Sequence, residues 1–399
     1  MLKFENWFIA TWLIVGTLYS FRWSSFNSPL PLTLIAVFGV AMVIALVISL
    51  GYSAPRLEKR VISPNRKSTI TLALIVMFFA DFVYRGEIPV FHPYSGYNVA
   101  LAVQEQVGIP VVHVIMTSVA LFYAMYLAFL WVSERSGGLL AEFGVVFVLF
   151  ILNNSRGYAL FSLLVLLLLL AASEARAIHE FRVFAGVGIS VLGVVSLIFV
   201  SVMGNIRSGF HWNDCSYITS FGRYDNYPTW LTDHFKWAYT YVTSPVANLT
   251  LNLQDGMHAA NVEGFVYSFI PETFSKQAVA ASYKVVYVVD HLNASTGYSG
   301  FAATMGYLGV FIAICVQLAY YSLIRAVLRK QGSIEVFGNA VLSFLVIVSC
   351  FYSPFYSSAV CYMPLWLIVC STYLKTKRDK PGGAPVESLA TRSAASARS

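Results

Sequence analysis

The chain has 399 residues, of which 58% are hydrophobic, 16% aromatic and only 11% charged, with a formal net charge of +7 and a mean hydropathy of +0.68. Soluble domains carry about 25% charged residues, and a soluble fold of this length saturates its core and must keep much polar surface wet. The composition excludes a soluble globular enzyme, a disordered chain and a nucleic-acid binder, and leaves an all-α polytopic membrane protein whose apolar faces are solvated by lipid.

Ten apolar segments read as transmembrane helices: 7–21, 30–51, 69–84, 111–132, 139–152, 157–172, 183–203, 298–324, 334–351 and 359–374. A helix needs about 20 residues to cross the hydrocarbon. The first, third, fifth, sixth and tenth segments are shorter, so they must draw on flanking aromatics or lie in thinned or protein-lined membrane. The first does not read as a cleaved leader, because Arg22-Trp23 follow it where small residues would mark a cleavage site.

Basic residues set the orientation. Arg56, Lys59, Arg60, Arg66 and Lys67 crowd one short loop, Arg325, Arg329 and Lys330 another, and Lys375, Lys377, Arg378 and Lys380 open the tail. With these inside, ten spans put both termini in the cytoplasm. The chain then divides into 1–203, seven helices with an outside loop at 85–110; 204–296, a large outside loop; 297–374, three helices; and 375–399, a small, polar tail expected to be disordered.

The large loop holds His211, His234, His258 and His291, seven acids and many Tyr and Trp residues. Its stretch WAYTYVTSPVANLTL (237–251) is amphipathic enough to lie at the interface as a short helix. A long ordered loop on a polytopic scaffold usually carries function. The spans, by contrast, are nearly empty of ionisable groups. Asp81, Glu142 and His113 fall near span ends and are expected to reach water, which points away from a proton-driven carrier. Cys215, Cys315, Cys350, Cys361 and Cys370 form no CxxC pair or metal-ligand spacing, and read as packing residues.

Eight basic residues face out, although positive charge is depleted there. Arg156 sits in NNSRG (153–157), a tight turn between two apolar runs, and Arg207 sits in GNIRSG (204–209) just after the seventh span. A guanidinium fork at headgroup depth suits a phosphate, and two on different helices could clamp a diphosphate. Arg223, in FGRYDNY, and Arg85, beside Glu87, are further candidates. No DxD motif occurs in the sequence, so a leaving diphosphate is expected to be neutralised by arginine, with neither metal nor cofactor.

Four segments resemble the Wzy-type oligosaccharide repeat-unit (O-antigen) polymerases of bacterial envelopes. They are FADFVYRGEIPVF (79–91), NNSRGYALFSLLVLLLL (153–169), IRSG followed by YVTSPVANL (241–249), and HLNASTGYSGFAATMGYLGVFIAI (291–314). The resemblance covers roughly residues 79–315. The R-x10-G arrangement of some members follows none of Arg156, Arg207 and Arg223. The resemblance implies a membrane glycosyltransferase of GT-C-like architecture, working at the periplasmic face of the inner membrane. A growing glycan would pass from undecaprenyl diphosphate to the non-reducing end of a new lipid-linked repeat unit. The implied partners are lipid-linked oligosaccharides, the bilayer and a chain-length regulator. His291 becomes the expected base by resemblance to a ligase-type H-x-N segment, oriented or replaced by Asp290, with Asp225, Asp233, His234 and Glu272 in reserve. Competing readings are an O-antigen ligase, a lipid-linked oligosaccharide flippase and a membrane-bound acyltransferase. The last would need His113, whose sequence neighbours give it no polar partner.

Overall fold

The computed structural model describes residues 3–53, 68–91, 108–109, 111–174, 198, 200–202, 204–206, 208–255, 260–289, 294–329, 331 and 333–378. Among the described residues the chain is all-helical. The helices are α1 (Phe4–Ser20), α2 (Leu32–Leu50), α3 (Thr69–Arg85), α4 (Val112–Glu134), α5 (Gly137–Leu152), α6 (Arg156–Glu174), α7 (Ser216–Phe221), α8 (His234–Asp255), α9 (Val262–Tyr267), α10 (Glu272–Ser282), α11 (Ser299–Leu328), α12 (Ser333–Val348), α13 (Ser358–Cys361) and α14 (Met363–Arg378).

Helices α2, α4 and α11 are long and apolar enough to cross a membrane, and α5, α6, α12 and α14 contain shorter apolar runs. Exposure supports a membrane protein. Helix α2 presents Leu32, Val43 and Val47 outward, and α3 presents Leu72, Val76 and Val83, a continuous apolar surface that water would penalise. The expected span at 183–203 lies almost wholly outside the described residues, as does most of the tail after 378.

The sequence ends its helices where the physics asks. Gly86 takes φ +77°, and behind it the Glu87 N–H donates to the Phe82 carbonyl and the Gly86 N–H to that of Val83. This paired closure satisfies the last carbonyls of α3, and Pro89 follows. Asn154 does the same for α5 at φ +55°, with Ser155 N–H donating to Phe150 and Asn154 N–H to Ile151. The NNSRG turn is tight because an asparagine accepts the left-handed conformation at little cost, and Arg156 then opens α6.

Helix α12 is buried on every side from Glu335 to Val346. It forms the axis against which α1, α6 and α11 pack. The core around it is aromatic, with Phe4, Phe8, Phe129, Phe337 and Phe344 fully buried.

Two expectations are corrected. The stretch 237–251 does not lie on the protein surface: α8 is buried along almost its whole length and packs on α1 and α11. It can be buried because many of its polar side chains are bonded within the protein; Thr243 and Thr250, for example, donate to the carbonyls of Tyr239 and Val246 one turn earlier, at 2.9 Å each. Nor is the span at 298–324 one continuous helix. Gly306 has φ 58° and ψ −142° inside α11, a conformation open essentially to glycine alone. There the chain reverses. A Cβ on Gly309 would lie 2.4 Å from the Phe301 carbonyl oxygen, and the Tyr298 hydroxyl donates to Gln317 Oε1 at 2.5 Å. In a straight helix residues 298 and 317 would stand about 28 Å apart. Residues 299–305 thus form a half-helix folded back against 307–328.

Candidate functional site

The re-entrant half-helix carries the end of the loop into the bundle. The Tyr298 ring lies 5.7 Å from Trp12 and 6.2 Å from Phe38, both in the middle of their helices. The Gly297 N–H donates to the Ser349 carbonyl at 2.7 Å. A Cβ at Gly297 would meet Pro354 at 2.7 Å and the Tyr352 carbonyl at 2.9 Å, so the backbone passes where no side chain fits. Irregular backbone is stable inside a membrane protein only when protein groups satisfy it or it lines a wet cavity.

Two asparagines on α8 satisfy the extended segment that precedes this turn. Asn252 Nδ2 donates to the Val286 carbonyl at 2.7 Å, and its Oδ1 accepts from the Val286 N–H at 2.9 Å. Asn248, one turn earlier, accepts from the Val288 N–H at 2.8 Å and donates to the Ala294 carbonyl at 2.8 Å. A single side chain therefore ties both flanks of residues 290–293. Asp290 and His291 themselves lie outside the described residues, but the structure fixes the chain on either side of them. Asn248 belongs to the YVTSPVANL segment noted in the sequence. Its role was missed because asparagine in a polar stretch has no signature until its partner strand is known.

Arg85 is engaged. Its Nη2 lies 3.0 Å from Asp81 Oδ2 and 2.9 Å from His113 Nδ1. His113 Nδ1 is in turn 3.0 Å from the same Asp81 oxygen, and the Ile109 N–H donates to Asp81 Oδ1 at 2.8 Å. Asp81 is only 1% exposed, and Gly108 packs so tightly that a Cβ would sit 2.1 Å from Oδ1. Asp81 does not reach water, and His113 does have polar partners. Both departures come from pairings 28 and 32 residues apart in sequence. The cluster ties α3 to the start of α4, and Arg85 has spent its charge on Asp81. The third span-end acid, Glu142, accepts from Ser68, Thr71 and Tyr123 at 2.8–3.0 Å.

Arg223 is exposed. It takes φ 46° in a turn that faces a second turn holding Arg22 at φ 49°. The two are joined by the Ser25 N–H donating to the Arg223 carbonyl at 3.0 Å, and by the Ser24 hydroxyl donating to the Gly222 carbonyl at 2.5 Å. The pairing brings two exposed arginines into neighbouring turns at the end of the bundle that carries α8. Arg22 was read only as an outside charge after the first span. The Arg156 side chain and all of Arg207 lie outside the described residues.

An aromatic wall stands beside these turns. The Trp23 ring is 4.9 Å from Tyr239 and 5.6 Å from Tyr227. Lys236 lies over Tyr224 and Tyr227 at 5.4 and 5.1 Å, with Asp233 2.8 Å from its ammonium group. Burial raises the Tyr224 phenol above its ordinary value, so it remains a donor to the Lys236 carbonyl at 2.8 Å. Trp212 and Trp230 are 52% and 79% exposed. Of the reserve residues, His234 Nδ1 is 2.8 Å from the Ser201 hydroxyl and 3.5 Å from Cys215 Sγ. Asp233 holds Lys236, Asp225 is exposed, and Glu272 starts α10, 3.9 Å from Lys276. Among the described residues no group of His, Cys, Asp and Glu is arranged to hold a metal.

Comparison with known proteins found no family model, no curated protein and no solved structure that matches this chain.

Proposed function

We propose that this protein is a membrane polymerase of lipid-linked oligosaccharide repeat units, with the α8 end of the bundle facing the periplasm and both termini in the cytoplasm. In this reading ten helices span the bacterial inner membrane. One observation supports it most: the segment flanking Asp290 and His291 is pinned by Asn248 and Asn252 and then enters the bundle as a re-entrant arm. In this reading the anchored polar loop brings a base and an arginine group to the level of the lipid headgroups, where a lipid-linked diphosphate resides.

The chemistry has two demands. The acceptor sugar's hydroxyl oxygen attacks the anomeric carbon of the donor glycan, and the bond from that carbon to the undecaprenyl diphosphate oxygen breaks. His291 takes the hydroxyl proton, with Asp290 orienting it. The diphosphate leaves with added negative charge, which Arg156 and Arg207 neutralise, aided by the exposed Arg223 and Arg22. Arg85 acts at one remove, by holding Asp81 and His113. Trp212 and Trp230 offer faces to the glycan.

The test is glycan length in cells carrying Arg156→Ala or Arg207→Ala. Both proteins should insert and accumulate normally, while surface glycan stops at one repeat unit. Normal length distributions in both variants would sink the diphosphate assignment.

A further inference from the structure

Helices α11 and α12 each carry a stripe of buried polar side chains at a spacing of four, and the two stripes meet α1. On α11 the stripe is Gln317, Tyr321 and Arg325, which are 1%, 1% and 7% exposed; on α12 it is Glu335, Asn339 and Ser343, at 8%, 0% and 0%. Residues four apart share one helix face. At one end of the seam Arg325 Nη1 lies 2.5 Å from Glu5 Oε1 of α1. Its guanidinium covers the Tyr52 ring at 4.0 Å. The Tyr52 hydroxyl donates to Glu335 at 2.6 Å and accepts from Asn339 at 3.0 Å. At the other end stands the re-entrant Tyr298, with its hydroxyl on Gln317 and its ring beside Trp12.

This row of groups is incompletely satisfied by protein. Trp12 Nε1, Gln317 Nε2, Tyr321 Oη, Glu5 Oε2, Asn339 Oδ1 and Ser343 Oγ are all buried and have no hydrogen-bond partner among the described residues. The Tyr321 hydroxyl lies beside the Gln317 carboxamide, out of bonding geometry. The Trp12 and Gln317 nitrogens only donate, and the Glu5 and Asn339 oxygens only accept. Trp12 and Gln317 stand at the Tyr298 end and Glu5 at the Arg325 end, so the two nitrogens cannot answer the carboxylate. Buried polar groups in folded proteins are nearly always satisfied. A molecule that both donates and accepts, and is small enough for a packed interior, meets the need at both ends.

We propose that the seam between α1, α11 and α12 is a built water-binding channel. It holds a chain of internal waters from the Glu5–Arg325 pair to the ring of Tyr298, beneath the re-entrant arm. The waters complete the bonding of Trp12 and Gln317 at the Tyr298 end and of Glu5 at the Arg325 end, with Tyr321, Asn339 and Ser343 along the seam between them. The inference does not depend on the polymerase reading, since it rests on side chains away from the loop.

Hydroxyl-radical footprinting of the intact protein in lipid nanodiscs tests it. X-ray radiolysis makes radicals from water in place, so a buried side chain is oxidised when water touches it. The reference is Tyr239, which is as buried as Tyr321, at 1% each, but is bonded by Asn27 and the Trp23 N–H. Tyr321 and Trp12 should be oxidised several-fold faster than Tyr239. Gln317→Leu, which removes the water's central partner, should cut oxidation of Tyr321 several-fold. Rates at Tyr321 and Trp12 no higher than at Tyr239 in the unaltered protein would overturn the proposal, whatever the variant does.

Discussion

Replacing Asn252 by alanine isolates the device that sets the depth of the proposed active segment. The side chain makes three bonds: to the Asn248 carbonyl at 2.7 Å, to the Val286 carbonyl at 2.7 Å, and from the Val286 N–H at 2.9 Å. Asn252 is 2% exposed. At about 1 kcal/mol per bond the loss is about 3 kcal/mol. Val286 is half-buried, so water recovers part of its backbone bonding and about 2 kcal/mol remains. That corresponds to a shift of about 30-fold in the local opening equilibrium. Hydrogen exchange followed by mass spectrometry reads it directly. Amides in 283–289 should exchange about 30-fold faster, while those of α4 and α12 stay protected. Glycan length should fall with it, because 290–293 lose their anchor on one side. Asn252→Asp keeps the acceptor for the Val286 N–H but sets a second acceptor against the Asn248 and Val286 carbonyls, and should be at least as damaging as alanine. Unchanged exchange in 283–289, with glycans of normal length, would refute the argument that α8 positions this segment.

Four further outcomes follow from the same geometry. Gly306→Ala puts a Cβ on a residue at φ 58° and ψ −142°, at a cost of about 1–3 kcal/mol; the helices should persist by circular dichroism while polymerisation is lost. Asp81→Asn leaves Arg85 buried without its counter-charge and should cost about 3 kcal/mol, read as a lower thermal midpoint, whereas Asp81→Asn with Arg85→Met should recover part of it. Arg325→Met should destabilise by about 3 kcal/mol through stranding Glu5, and adding Glu5→Gln should restore most of that. Arg22→Ala and Arg223→Ala should leave the fold intact and raise the lipid-linked donor concentration for half-maximal extension about tenfold each, the worth of one charge-assisted bond of about 1.5 kcal/mol. Unaltered donor dependence in both would remove these two arginines from the diphosphate site.

Much of the scaffold was legible because apolar runs and their breakers are local signals. The expected segments 30–51, 69–84, 111–132 and 139–152 agree with α2, α3, α4 and α5 within two residues at either end. The turns at Gly86 and Asn154 fell where the sequence changes from apolar to small and polar. The re-entrant arm was not legible. Residues 298–324 carry no charge and no proline, and Gly306 resembles any small residue in a helix until Tyr298 is found on Gln317. The burial of helix α8 went unforeseen for the opposite reason. Its threonines and asparagines read as a water-facing surface, yet they bond to their own helix and to the 283–294 segment, so a polar helix can be buried. The Asp81–Arg85–His113 cluster and the seam on α11 and α12 depend on pairings between distant helices. Taken one by one in the sequence, the ionisable residues left the spans nearly empty of titratable groups.

The central claim is that the protein itself lengthens a lipid-linked glycan without a metal. Purified protein in nanodiscs would be given a synthetic undecaprenyl-diphosphate-linked repeat unit from the source strain, with EDTA present, and the products resolved on a gel. A ladder of increasing lengths is the predicted result. A single transfer seen only when lipid A–core is supplied, or movement of the intact lipid across a vesicle bilayer with no product, would contradict the polymerase.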